Sequence, residues 1–183
     1  AAEVAKRVET GQPHAIRLQI PGGETAFTDM VSGEIRVKNE DIEDLVVARS
    51  DGTATYNFAV VVDDHDMGIT HVIRGNDHIS NTFKQIHIYQ SLGFPVPQFG
   101  HVPLILRPDK RKVSKRLGDK DVAEYRNEGI LPEAMLNFLS LLGWSTKTEQ
   151  EIFTREQLIA IFDPAHLNPS NAVFDEEKLV SFN

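Results

Sequence analysis

Apolar and polar positions change rhythm close to residue 53. Before that point, His14-Ala15-Ile16-Arg17-Leu18-Gln19-Ile20 alternates apolar with polar side chains, the period of a half-buried strand, and Pro21-Gly22-Gly23 stops it with a turn. Gly33–Val37 and Asp44–Arg49 read as two further short strands. The turn-prone Asn39-Glu40-Asp41 separates them, and Asp51-Gly52 closes the second. Residues up to about Thr53 are therefore expected to belong to a small β-rich unit.

Beyond it, longer apolar runs are joined by helical spacing, the pattern of βα units on a parallel sheet. Phe58-Ala59-Val60-Val61-Val62 suits a buried strand or a buried helix equally, because a short β-branched run carries no decisive period. His71-Val72-Ile73-Arg74 reads as a strand ending in Gly75-Asn76-Asp77-His78. Ile79, Phe83, Ile86 and Tyr89 then recur at helical spacing until Gly93 and Pro95. Val102–Leu106 is expected as a strand whose Pro103 must lie at an edge or near its start, since proline cannot donate to a ladder. The remainder reads as helices. Asp121-Val122-Ala123-Glu124 and Thr154-Arg155-Glu156-Gln157 resemble capping sequences, Pro132 suits a first helical turn, and Met135, Leu136, Leu139 and Leu142 make an apolar face. Asp175 opens another expected helix close to the last residue, so the end looks cut.

Composition removes several alternatives. With 40% hydrophobic and 25% charged residues the chain is of ordinary globular type. It has no apolar run near the ~20 residues a bilayer span needs and no signal-like start, so a soluble, cytoplasmic protein is expected. No cysteine is present, and seven histidines lack metal-binding spacing, so no structural metal is expected. A net charge of −8 argues against indiscriminate nucleic-acid binding, and any polyanion site must be local. One stretch qualifies: Arg107, Lys110, Arg111, Lys112, Lys115, Arg116 and Lys120 face only Asp109 and Asp119.

Each candidate for chemistry has two readings at this level. Lysines on either side of Ser114, in a loop just past a strand, can neutralise a polyphosphate while amides and the hydroxyl hydrogen-bond its oxygens; a solvated basic loop has the same composition. Arg74 at a strand end offers a bidentate fork to a carboxylate, or an ion pair with Asp63, Asp64, Asp66 or Asp77. Both Arg74 and the basic loop follow strand ends, where open α/β sheets bind ligands. Tyr56 could offer its hydroxyl to a substrate or simply pack. Asp63-Asp64-His65-Asp66 suggests a metal cluster, but adjacent carboxylates on one segment point apart, as on a solvated helix end.

These features occur in one recognisable order. Thr55-Tyr56-Asn57-Phe58, then Val62 through Gly75, then Lys112-Val113-Ser114-Lys115-Arg116, then Gly129-Ile130-Leu131-Pro132-Glu133-Ala134 to Leu142-Gly143-Trp144 resemble bacterial-type glutamyl-tRNA synthetases over nearly the whole chain. The basic pentapeptide looks like that family's variant of the class I KMSKS signature. The resemblance implies an α/β fold: the second half of a Rossmann-type parallel sheet, preceded by a small β-rich unit and followed by a helical stem-contact region. Residues 1–53 would end the acceptor-stem-binding insertion, 54–118 would complete the catalytic domain, and 119–183 would begin the stem-contact region. It also implies that Phe58–Asp64 is helical.

The implied reaction joins glutamate to tRNA(Glu) through glutamyl-adenylate, with ATP and its Mg²⁺ as substrate complex. By the same resemblance Tyr56 and Arg74 would bind glutamate, with Arg74 meeting a carboxylate. Asp77 and His78 would lie beside the ATP ribose and adenine, and Val113 would present backbone to adenine. Lys112, Ser114 and Lys115 would act on the phosphates, Lys115 being the most critical. Asn76 departs from the acidic residue expected in many relatives, and the family's HIGH signature is absent, as are anticodon-binding domains. An internal fragment of a longer enzyme, weak or inactive alone, is therefore expected. Competing expectations are a non-catalytic piece that docks the tRNA acceptor stem or a complementary half-domain, a glutamyl-queuosine-type tRNA modifier, and a glutaminyl enzyme. The stretch from Phe153 to Phe174 favours the synthetase over the modifier, and Ile69–Gly75 favours the glutamyl form.

Overall fold

In a computed structural model of the chain, residues 7–113, 120–146 and 148–183 are described. By internal contacts the chain divides into two compact units. The first comprises Ala1–Asp29, Gly33–Val72 and His78–Phe99; the second comprises Met30–Ser32, Ile73–Asp77 and Gly100–Asn183.

In the first unit β1 (Ile16–Leu18) pairs antiparallel with β4 (Leu45–Ala48), matching Arg17 to Val46 and Leu18 to Leu45. The alternating stretch reaches from His14 to Ile20, yet only three residues pair, because Ile20 turns its amide to the Asp44 carboxylate at 2.9 Å. The hairpin of β2 (Glu24–Asp29) and β3 (Gly33–Lys38) is in register from Glu24–Lys38 to Asp29–Gly33. Strand β2 was not legible in the pattern, since Glu24-Thr25-Ala26-Phe27-Thr28-Asp29 is mostly polar. It is a strand because it is flanked on both sides, by β3 and, in parallel at Asp29–Phe99, by β6 (Gln98–Val102). With β5 (His71–Gly75) these form one sheet of order β3-β2-β6-β5, mixed in direction.

The ambiguous run after Thr55 is helix α1 (Tyr56–Asp66). Thr55 is extended and sends its hydroxyl to the Val46 carbonyl at 2.8 Å, while Gly68, at φ +68°, ends the element as a left-handed stop. About a dozen residues between these two signals is too long for one buried strand and right for a helix. Helix α2 (Ile79–Leu92) ends at Gly93 with φ 69°, and Phe94 returns its amide to the Tyr89 carbonyl. Val61, Ile86, Ile88, Tyr89, Leu45 and Phe99 form the core of this unit, and Phe27 meets Phe83 and Phe99 edge to face.

A buried polar chain crosses that core. Thr25 donates its hydroxyl to Asn39 Oδ1 at 2.6 Å and lies 2.9 Å from His87 Nε2, while Asn39 Nδ2 donates to the Pro21 carbonyl. Because the single hydroxyl proton goes to Asn39, His87 donates Nε2–H to Thr25. Burial pushes the His87 pKa below its ordinary 6.5. A base whose folded pKa is depressed stays neutral while the unfolded chain protonates, so stability falls as pH drops below about 6.5 and the loss ends below the folded pKa. Unfolding of His87→Gln, which keeps an N–H donor, is therefore expected to depend less on pH between 7.5 and 5.5 than unfolding of the native chain. Equal pH slopes would contradict this.

The second unit carries the other elements. The expected strand Val102–Leu106 is interrupted. Pro103 lacks an N–H, so β6 ends at Val102, and β7 (Ile105–Leu106) restarts after Leu104 donates to Asn171 Oδ1 at 3.0 Å. The tail, read as helices only, also contributes β8 (Ala172–Val173), parallel to β7. Four helices follow the pattern: α3 (Val122–Asn127), α4 (Pro132–Leu142), α5 (Arg155–Ile161) and α6 (Glu176–Phe182). Asp121 accepts from the Glu124 amide, Asp175 from that of Lys178, and Thr154 with Gln157 completes a reciprocal capping box. Tyr125, Met135, Phe138 and Leu179 make one apolar cluster; Trp144, Phe153 and Leu158 make another. Asn137 links the segment around them to α4, donating to the Glu151 carbonyl at 2.6 Å and accepting from the Phe153 amide at 2.8 Å.

Candidate functional site

Arg74 lies near the carboxyl end of β5, half-buried, and donates Nε–H to His101 Nε2 at 3.5 Å. A lone pair at Nε2 makes His101 a neutral imidazole in this contact, and the length makes the bond weak. His101 is 1% exposed on β6. Its effect is to orient the guanidinium rather than to neutralise it. Nothing in the sequence signals His101, because Gln98-Phe99-Gly100-His101-Val102 becomes a strand only through its neighbours.

Asp77 sits in the 3₁₀ turn Asn76–His78 after β5, and its Oδ2 accepts from Lys112 Nζ at 2.6 Å. The two side chains are 44% and 52% exposed, which makes the pair a small term in stability and a positional device instead. Gly75 leaves room beside it: a Cβ there would stand 2.6 Å from Asp77 Oδ1, and the carboxylate would have to turn.

Lys112 belongs to a hairpin that bridges it to Leu106, and Val113 gives its amide to the Ile105 carbonyl at 3.1 Å. The amide of Val113 is thus committed within the hairpin. Ser114, Lys115 and Arg116 lie outside the described residues. In the first unit Tyr56 opens α1 at 55% exposure, and its ring centroid is 6.4 Å from that of His78. Asn81 donates its amide to His78 Nδ1 at 3.1 Å, which fixes the Nε2–H tautomer.

A separate polar group lines a cavity of about 920 Å³ in the second unit, among Arg107, Asp109, Val113, Lys120, Tyr125 and Glu176. Lys120 Nζ reaches Glu128 at 2.8 Å and Glu176 at 3.4 Å and stands 5.1 Å from the Tyr125 ring centre. The hydrogen bond to Glu128 is the main cause holding the Lys120 pKa above its ordinary value. Burial, then the bond from its hydroxyl to Glu176 at 3.0 Å, pushes Tyr125 up to about 12. Sequence reasoning missed Tyr125 and Glu176, which are 51 positions apart. Among the described residues no three histidine, aspartate or glutamate side chains converge as a metal site requires, and no helix is long and apolar enough to cross a membrane.

A family model described as tRNA synthetases class I (E and Q), catalytic domain, matches residues 1–181. A protein called glutamate–tRNA ligase from Thermodesulfovibrio yellowstonii is 55% identical over 173 residues, covering 94% of this chain and 37% of that protein. The glutamate–tRNA ligase of Aquifex aeolicus is 55% identical over 175 residues, with the same coverage of 94% and 37%. Among solved structures, a glutamate tRNA ligase from Elizabethkingia meningosepticum in complex with its amino acid superposes with a TM-score of 0.89 at 35% identity, covering 100% of this chain and 40% of that one. The chain therefore spans little more than a third of the length of the curated relatives it matches. Its mixed α/β architecture and its match over almost every residue place it together with them: this chain belongs to the catalytic-domain family of the class I tRNA synthetases for glutamate and glutamine.

Proposed function

We propose that this chain is the part of a cytoplasmic glutamate–tRNA ligase that holds the substrate carboxylate and the ATP phosphates. The identity to glutamate–tRNA ligases across 94% of the chain carries this reading of the activity. In it, residues 1–53 end an acceptor-stem-binding insertion, 54–118 complete the catalytic domain and 119–183 begin a stem-contact region. The chemistry is attack of the glutamate carboxylate on the α-phosphorus of ATP, supplied as its Mg²⁺ complex, to give glutamyl-adenylate and pyrophosphate; a terminal ribose hydroxyl of tRNA(Glu) then attacks the glutamyl carbonyl, loses its proton and displaces AMP. Catalysis of this kind is positioning and charge stabilisation, with no covalent enzyme intermediate.

Arg74, steadied through Nε by His101, meets a substrate carboxylate, and Tyr56 offers its hydroxyl to the same amino acid. Asp77 and His78 contact the ribose and adenine, and Val113 faces the base with backbone. Lys112 exchanges its Asp77 partner for phosphate oxygens, Ser114 hydrogen-bonds them, and Lys115 supplies the charge that grows most valuable as pyrophosphate departs.

Glutamate-dependent ATP–pyrophosphate exchange in the presence of tRNA(Glu) tests this. The intact polypeptide is expected to catalyse it, Lys115→Ala to lower kcat at least about a hundredfold, as for loss of one donor to developing charge, and the 183-residue chain alone to be near background. Normal exchange by Lys115→Ala would overturn the phosphate role. Exchange driven by glutamine and not by glutamate would overturn the substrate.

A further inference from the structure

The basic hairpin holds a conformational oddity that the activity above leaves unused. Arg107 accepts at its carbonyl from the Lys110 amide at 2.9 Å and gives its own amide to the Arg111 carbonyl at 2.7 Å, so Arg107–Lys110 is a β-turn with Pro108 and Asp109 in the middle. Pro108 is a favoured first central residue; the last position favours glycine. Here that position is Lys110, at φ 68°, and among the described residues no other non-glycine has a positive φ. A lysine in the left-handed region is strained where glycine is not, and such strain is kept where the side chain has a use.

The surrounding charges show what that use requires. Asp109, the acid beside Lys110, turns away to Arg111, accepting from its amide at 3.0 Å and from its Nε at 2.7 Å. Arg111 in turn holds the Asp109 carboxyl below the usual range. Among the described residues Lys110 has no ion-pair partner, and it is exposed. The two residues read as nucleotide contacts, Lys112 and Val113, lie at the root of the hairpin, where Lys112 bridges to Leu106 and Val113 bonds Ile105; Lys110 lies at the apex. A compact triphosphate held at the root leaves the apex for an extended polyanion. In a chain of net charge −8, a single unneutralised cation held out on a strained turn is a local contact for such a partner.

We infer that Lys110, presented by the left-handed turn after Pro108-Asp109, contacts a backbone phosphate of the bound RNA. The inference rests on the ligase reading for the identity of that RNA. The contact carries no sequence information; it fixes register and strengthens binding by one phosphate.

The test is Lys110→Gly in the intact polypeptide, with Lys110→Arg beside it. Glycine relaxes the turn, so the melting temperature should stay level or rise. One lost phosphate contact should weaken RNA binding about threefold at moderate salt and make the log–log salt dependence shallower by about one, while KM for ATP is unchanged. Lys110→Arg, which keeps the charge, should restore the salt slope. Native affinity and native slope in Lys110→Gly would overturn the inference, as would a raised KM for ATP with unaltered RNA binding. Failure of the native enzyme to charge tRNA with glutamate would instead overturn the ligase reading, because RNA binding and its salt slope are measured without catalysis.

Discussion

Arg74→Ala in the intact polypeptide is expected to raise the KM for glutamate about a hundredfold. Removing one partner of a desolvated, bidentate carboxylate pair costs about 3–5 kcal/mol, and the half-buried position of Arg74 puts the effect at the lower end, near two powers of ten. KM for tRNA should not move. A lysine at this position keeps a charge but not the planar fork, so Arg74→Lys should recover only part of the affinity. Kinetics at saturating ATP and tRNA give the answer, and an unchanged KM for glutamate in Arg74→Ala would take this residue out of the amino-acid site.

The largest structural loss is expected from Phe138→Ala. Phe138 is 2% exposed in the middle of α4 and meets Phe174 edge to face at 5.0 Å, with Phe182 at 6.3 Å. A buried phenylalanine cut to alanine costs about 3–5 kcal/mol in lost transfer energy and residual cavity, against a total stability of about 5–15 kcal/mol for a domain. The hydrophobic cluster of α3, α4 and α6 should therefore open far more often. Amide hydrogen exchange of the intact polypeptide should accelerate by a factor of about a hundred or more in α4 and α6, about 3 kcal/mol, while α1 and α2 stay protected. Unchanged protection of α4 would mean that the cavity collapses at little cost.

Much of the local structure was legible because it is set by neighbours in the chain. Thr154 with Gln157, Asp121 with Glu124, Asp175 and Pro132 place the starts of four helices within three or four residues of themselves. Gly93 ends another for the equally local reason that it takes a left-handed conformation. The same locality explains the errors. Glu24–Asp29 is too polar to announce a strand, and Ala172–Val173 too short; both are strands only because β3, β6 and β7 lie alongside. Pro103 announced that something must give but not that the strand would end and restart around it.

For the candidate site, the order of Tyr56, Arg74, Asp77, Lys112 and Lys115 is written in the chain, and so are the residue types that can meet carboxylate and phosphate. That much follows from side-chain chemistry and covalent order alone. Which partner each group has does not, because Lys112 and Asp77 are 35 positions apart and Arg74 and His101 are 27 apart. Only the packing of β5 against β6 and the closing of the hairpin at Leu106–Lys112 bring such groups within hydrogen-bond distance, and those contacts depend on burial summed over many residues rather than on any short motif. The same is true of Gly75, ordinary in sequence, whose missing side chain leaves the space that Asp77 Oδ1 approaches.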